Sequence, residues 1–205
     1  MPATHIVEFS DPQALDPLVV GSKSASVADL ARHGLTVPPG FSIHAGAFDE
    51  FTRPVSGEIA KILESVDADN VSSSFDASDA IGKILAPLPL PDGLAEDVTE
   101  RINPHSGIFA VRSSATVEDL EGASFAGMYD SFLDAADAES VLRRVRDVWA
   151  SYYTGRAISY RRRMGIPHGS GSMAVLVMEL VNADAGGVVF TRDPRDGTDQ
   201  ILVNA

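Results

Sequence analysis

The sequence predicts an α+β fold of α/β-like character, and three observations carry that prediction. Apolar residues recur at helical spacing through much of the chain between residues 24 and 163. Short, near-continuous apolar runs such as "IFAV" and "SMAVLVMELV" have the length and character of buried strands. Helices with a few strands come first and a run of β follows, with no internal repeat.

In chain order, "HIVEF" (5–9) reads as a short strand. Ser22 or Ser24 is placed to cap a helix carrying Ala25, Ala28, Leu30 and Ala31, which His33-Gly34 ends. "VPPGFSI" supplies a proline-stiffened loop and a strand at Phe41–Ile43, and a short helix runs from about Ala45 to Phe51. Residues 56–103 are helical with interruptions: Ile59, Ile62, Leu63 and Val66 share one face, Ile81, Ile84 and Leu85 a second, Leu94, Val98 and Ile102 a third. "APLPLPDG" (86–93) links helices. Ile108–Val111 is a buried strand that enters a long loop, and Ser131–Leu133 a strand that leaves it. From Asp137 to about Arg163, Val141, Val145, Val148, Trp149 and Tyr152 mark one apolar helix face, with Arg143, Arg144 and Arg146 on its solvated side. Residues 172–181 and 185–194 are near-continuous apolar strands joined by a polar turn. "FTRDP" (190–194) is a turn with a local Arg192–Asp193 ion pair. "DQILVNA" (199–205) is a further strand. A strand of buried character at that position implies a fragment, or a short relative of something longer, because its edge would otherwise invite pairing.

Composition narrows the function. With 44% hydrophobic residues the chain can bury a proper core. A formal net charge of −13 opposes nucleic-acid and anionic-membrane surfaces, so any anionic ligand has to be met by cations gathered locally. There is no cysteine, which fits a reducing compartment and excludes disulfides and thiolate metal sites. "MPATHIVEFS" lacks the form of a signal peptide, and no run reaches the roughly 18 apolar residues of a membrane span. A soluble cytoplasmic protein is expected, with its five histidines at the surface.

The candidate chemistry lies in "FAVRSSATVEDLEGASFAGMYDSFL" (109–133). Arg112 follows an apolar strand, where an unpaired guanidinium would be costly, so it calls for an anion. Internal candidates are Glu118, Asp119, Glu121 and Asp130; the functional candidate is a phosphate, which suits a planar five-donor fork. Gly127 offers an unobstructed backbone N–H, and Ser124 and Ser131 offer hydroxyls, as a phosphate-covering loop requires. Neither a Walker A pattern nor a GxGxxG occurs. Lys23, in "VVGSKSASVADL", stands near a helix start, where the dipole disfavours a cation unless an anion is bound. Met178, Glu179 and Leu180 close an apolar strand whose end is suited to reading a purine through backbone groups, although Met178 is equally a core methionine.

Four segments, "GSKSASVADLARHGLTVPPGFSI", "FAVRSSATVEDLEGASFAGMYDSFL", "VWASYYTGRAISYRRRMGI" and "GGVVFTRDPRDG", occur in this order. Together they resemble the N-terminal ATP-binding (PEP/pyruvate-binding) domain of the phosphoenolpyruvate synthase family, which includes pyruvate phosphate dikinase and the rifampicin phosphotransferases. The resemblance spans essentially the whole chain. It implies an ATP-grasp fold, with residues 1–205 as its N-terminal part and the second subdomain and metal-binding segment lying past residue 205. It implies ATP as ligand, with Mg²⁺ held by residues beyond 205. It further implies phosphoryl transfer to a histidine on a separate swivelling domain, for delivery to pyruvate or a similar acceptor. The phosphohistidine and acceptor-binding domains would belong to the same longer chain or to a partner subunit.

By motif, Lys23 and Arg112 would hold phosphates and act in catalysis. Gly127 and Ser131 would sit in the covering loop, and Met178, Glu179 and Leu180 at the adenine-side strand. Family members carry paired glycines before the lysine where this chain has Gly21-Ser22, and commonly a glutamine where it has Met178. None of its histidines matches a phosphohistidine motif. A shortened nucleotide-binding or regulatory module without catalysis, and a ligand-free interaction domain, are the alternative readings.

Overall fold

The computed structural model describes residues 4–67, 70–117, 125 and 127–204. In chain order its elements are β1 (Ile6–Glu8), α1 (Pro17–Arg32), β2 (Gly40–Ile43), α2 (Ala45–Thr52), α3 (Ser56–Glu64), α4 (Val71–Leu85), α5 (Leu94–Ile102), β3 (Phe109–Ala115), β4 (Ser131–Ala135), α6 (Ala138–Ser151), α7 (Gly155–Arg163), β5 (Met173–Glu179), β6 (Val188–Phe190) and β7 (Leu202–Asn204). The mixed α and β class is as the sequence predicts. Five strands form one antiparallel sheet in the order β1-β2-β5-β3-β4. β5, apolar along its length, sits in the centre, because only a central strand is covered on both faces.

Strand alternation divides the sheet into two unlike faces. Phe109, Val111 and Ala115 of β3 and Met173, Val175 and Val177 of β5 enter a large core with residues of α2 to α7. Its centre is aromatic. Trp149 is fully buried and donates from Nε1 to the Met173 carbonyl at 3.1 Å. Phe48 and Phe51 pack against it at ring distances of 6.2 and 5.0 Å. The Tyr152 hydroxyl donates toward the Gly171 and His168 carbonyls, so the polar tips of Trp149 and Tyr152 are both satisfied. The opposite face meets α1, over a small cluster of Val7, Ala14, Val20 and Ala28.

Several elements differ from the sequence reading. α1 starts at Pro17 with Asp16 as its cap, the Asp16 carboxylate accepting from Leu18 N at 2.8 Å. It is interrupted at Gly21 (φ 73, ψ 163), so the stretch expected to be capped by Ser22 or Ser24 is a second segment beyond a break. β3 runs to Ala115, which puts Arg112 within a strand instead of just after one. The single helix expected over 137–163 is two: Asp137 caps α6 through a capping box with Ser140, and Thr154 caps α7. The apolar periodicity continues across the break because both helices bury the same side. β6 pairs with β7 and not with β5, and both strands are exposed, so their apolar composition reported buried character wrongly. Asp193 pairs with Arg195 at 2.5 Å and Arg192 with Asp199 at 3.3 Å, not with each other.

Two of the histidines expected at the surface are not simple surface residues. His5 is buried between Glu50 and Asp97, at 3.4 Å from each. His168 Nδ1 accepts from Arg161 Nε at 3.2 Å, which places the ring proton on Nε2, itself buried without a hydrogen-bond partner among the described residues. Burial first, then the charges of Arg161 and Arg162, push His168 down to about 4. His44 is pushed down as well, by burial and by His5 stacked 5.7 Å away.

Two outcomes follow from this framework. A Cβ on residue 21 would lie 1.9 Å from the Ser114 carbonyl oxygen, in a backbone region L-residues avoid, so Gly21→Ala is expected to destabilise the fold by about 2–5 kcal/mol; urea denaturation with a wild-type midpoint would refute this. For His168, a folded value of about 4 against an ordinary 6.5 means the unfolded chain binds more protons between them. Stability should therefore fall as pH drops through that window, and His168→Asn should flatten the slope, with His44 leaving a residual one; equal slopes in both proteins would contradict the assignment.

Candidate functional site

Ser114 holds the broken turn of α1 against the sheet. Its hydroxyl donates to the Val20 carbonyl at 2.8 Å and accepts from the Ser24 N–H at 3.0 Å, spanning the break at Gly21 from both sides. Helix interruption strands backbone donors and acceptors, and one serine on a neighbouring strand satisfies two of them in a buried place. Gly21 is required twice, by its positive φ and by the absence of room for a side chain over Ser114. Ser22, next to it, needs no such freedom, because no described non-glycine residue has positive φ.

This clasp sets the relation between the two cations. Lys23 is half-buried, one residue into the segment of α1 that the clasp docks onto β3. Arg112 and Ser114 are two apart on that strand, so both side chains leave the same face, the one α1 covers. Across the sheet Arg112 aligns with Leu176 of β5 on one side and exposed Ser131 of β4 on the other. The Arg112 guanidinium makes no hydrogen bond or ion pair among the described residues. Of the internal anions considered for it, Asp130 is engaged by Arg156, while Glu118, Asp119 and Glu121 lie outside the described residues, as does Ser124.

Met178 lies farther along the same face, in a row with Ala110 and Gly40. It is half-buried, and a Cβ on residue 40 would lie 2.9 Å from its Cγ. Glu179 alternates to the other face, where its carboxylate meets His105 Nδ1 at 2.8 Å. The backbone N–H groups singled out in the sequence are spent within the protein: Glu179 donates to the Pro39 carbonyl at 2.8 Å and Leu180 to the Ile108 carbonyl at 2.7 Å. What the strand end does leave open is different. The next register position opposite the Glu179 carbonyl is Pro39, which has no N–H to give. One residue past Leu180, the Val181 N–H has no partner among the described residues, on an exposed residue. Ser114, Pro39 and Val181 were not apparent as site residues. Pro38-Pro39 looked like a loop stiffener, and Ser114 was one hydroxyl among several.

Gly127 is exposed, with a left-handed φ of 71. Residues 127–131 return from the loop into β4, with Asp130 accepting from the Ser113 N–H at 3.3 Å, which brings this turn back beside Arg112. The described residues contain no group of three or more His, Asp or Glu placed to hold a metal ion.

A family model described as the pyruvate phosphate dikinase AMP/ATP-binding domain matches residues 18–205. The chain is 38% identical over 197 residues to a rifampicin phosphotransferase of a Streptomyces species, covering 94% of this chain and 23% of that protein. It is 36% identical over 208 residues to a probable phosphoenolpyruvate synthase of Methanothermobacter thermautotrophicus, covering 97% and 30%. A phosphoenolpyruvate synthase of Aeropyrum pernix is 35% identical over 195 residues, covering 90% and 24%. The chain thus spans less than a third of the length of these relatives. A match over nearly all of its residues means that this chain belongs to the pyruvate phosphate dikinase AMP/ATP-binding domain family.

Proposed function

We propose that the α1-covered face of the sheet binds ATP, with Lys23 and Arg112 on its phosphates and the end of β5 beside its adenine. The observation that carries this reading is the Ser114 clasp, which docks the Lys23 turn on the face from which Arg112 projects. From the Ser114 row to the Met178 row is four residues of strand, about 13 Å, a length suited to a nucleoside triphosphate lying along the sheet. Met178, flanked by glycine and alanine, would pack on the purine. The Glu179 carbonyl, facing a proline, would accept from the purine amine, and the Val181 N–H would supply the donor that Leu180 has already committed. Gly127 and Ser131 would meet the phosphate tail from the β4 side.

Chemically, two cations of fixed position on a polyphosphate neutralise charge that builds on the transferring group, which is the main task in phosphoryl transfer. In this reading residues 1–205 are the N-terminal part of an ATP-grasp domain in a cytoplasmic phosphotransferase. The phosphoryl group would pass to a histidine on a swivelling domain, and from there to pyruvate or a similar acceptor. Those domains would be supplied by the rest of a longer chain or by a partner subunit. Mg²⁺ would be the metal of such a reaction, held, as the family resemblance implies, by residues beyond 205.

Calorimetric titration of this chain with ATP should show weak binding, little changed by Mg²⁺, with little or no turnover. Tight, Mg²⁺-dependent binding with steady hydrolysis would place a metal site within these 205 residues and overturn that part of the reading. Arg112→Ala should weaken ATP binding by about 1.5–3 kcal/mol, the range of a charge-assisted hydrogen bond. Unchanged affinity in the folded variant would remove Arg112 from the site.

A further inference from the structure

The segment "VWASYYTGRAISYRRRMGI" is a family-like motif that the nucleotide reading leaves without a task. It forms the end of α6, the elbow and α7, on the core side of the sheet, away from Lys23 and Arg112. It touches Phe125 and the turn at 128–130. Arg156 donates from Nε to the Met128 carbonyl at 3.1 Å and pairs through Nη2 with the Asp130 carboxylate. The Asp130 N–H donates to Ser151 Oγ at 3.2 Å, and that hydroxyl is itself fixed by donating to the Val148 carbonyl at 2.7 Å. Tyr129 stacks on Tyr152 (5.8 Å, 7°) and on Phe125 (5.7 Å, 7°), and Phe125 meets Tyr160 edge-on at 4.9 Å. Beneath them the fully buried Arg161 lies 4.3 Å over the Tyr152 ring and donates to the Tyr152 carbonyl at 2.7 Å.

We infer that the α6–α7 elbow is a socket that positions the phosphate-facing turn, and that Arg156 is its positioning residue for phosphate binding. The inference rests on the reading above, in which Gly127 and Ser131 face the phosphates. The Asp130 N–H, carbonyl and carboxylate and the Met128 carbonyl are each held, while Gly127 and Ser131, on either side of the Tyr129 anchor, remain exposed. Arg156 and Asp130 are themselves about half exposed, with side-chain exposures of 49% and 40%. An ion pair of that kind contributes little to folding, so its consequence lies in where the turn is held. A planar fork that grips a carbonyl and a carboxylate together fixes orientation in a way a lysine cannot.

The test uses this chain and the variants Arg156→Ala, Arg156→Lys and Asp130→Asn. Without ligand, Arg156→Ala should speed hydrogen exchange at the Tyr129–Ser131 amides while its melting temperature stays near that of the wild type. Unchanged exchange there overturns the socket, whether or not nucleotide binds. Affinities for ATP and for adenosine form the second arm. Arg156→Ala should lower ATP affinity about fivefold and leave adenosine unaffected, with Arg156→Lys intermediate. Combined with Asp130→Asn it should add little, because the two act as one unit. Equal losses for ATP and adenosine would reduce Arg156 to general support and overturn the positioning role. A wild-type chain that binds neither would sink the nucleotide reading, and with it the phosphate role of the socket.

Discussion

One serine on the sheet, bonded to both sides of a break in a helix, determines how this protein presents its cations. Without Ser114 the interruption at Gly21 would leave a buried carbonyl at Val20 and a buried N–H at Ser24 without partners, an arrangement that costs more than the bonds themselves contribute. With it, the break becomes the docking point of α1. The missing side chain of Gly21 allows the approach, and the direction of the clasp puts the Lys23 turn beside β3.

The two faces of the sheet divide the work. One is filled by an aromatic core in which Trp149, Phe48, Phe51 and Tyr152 lock the helices to β5, and that packing makes the sheet a rigid platform. The other meets α1 over a smaller cluster, so a half-buried side chain such as Arg112 there avoids the full desolvation a core would impose. This is how a chain of net charge −13 keeps an arginine on a central strand. Selectivity for a base, in the proposed reading, is settled at the strand end by what the neighbours leave undone: a proline that cannot donate and an N–H that the sheet does not reach.

Much of the framework was legible residue by residue. Helix periodicity, the Gly34 end of α1, the strand character of residues 173–179 and the linker at 86–93 follow from local rules of spacing, capping and breaking, which act over a few residues and so are written in sequence. The breaks were less visible. An apolar stripe runs through the α6–α7 elbow because both helices bury the same side, and composition alone cannot tell a buried strand from the exposed pair β6 and β7.

The sequence by itself determined the class of fold, the acidic background and the family pattern, and it singled out Lys23 and Arg112 as candidates, since these depend on residue type and local order. Tertiary structure alone decided that their elements meet on one face, that Asp130 belongs to Arg156 and not to Arg112, and that the amides of Glu179 and Leu180 are already taken. The reason is physical: partner choice is a matter of register and distance between segments far apart in sequence, as Glu179 and Pro39 are, and no local pattern encodes which buried donor will find which acceptor.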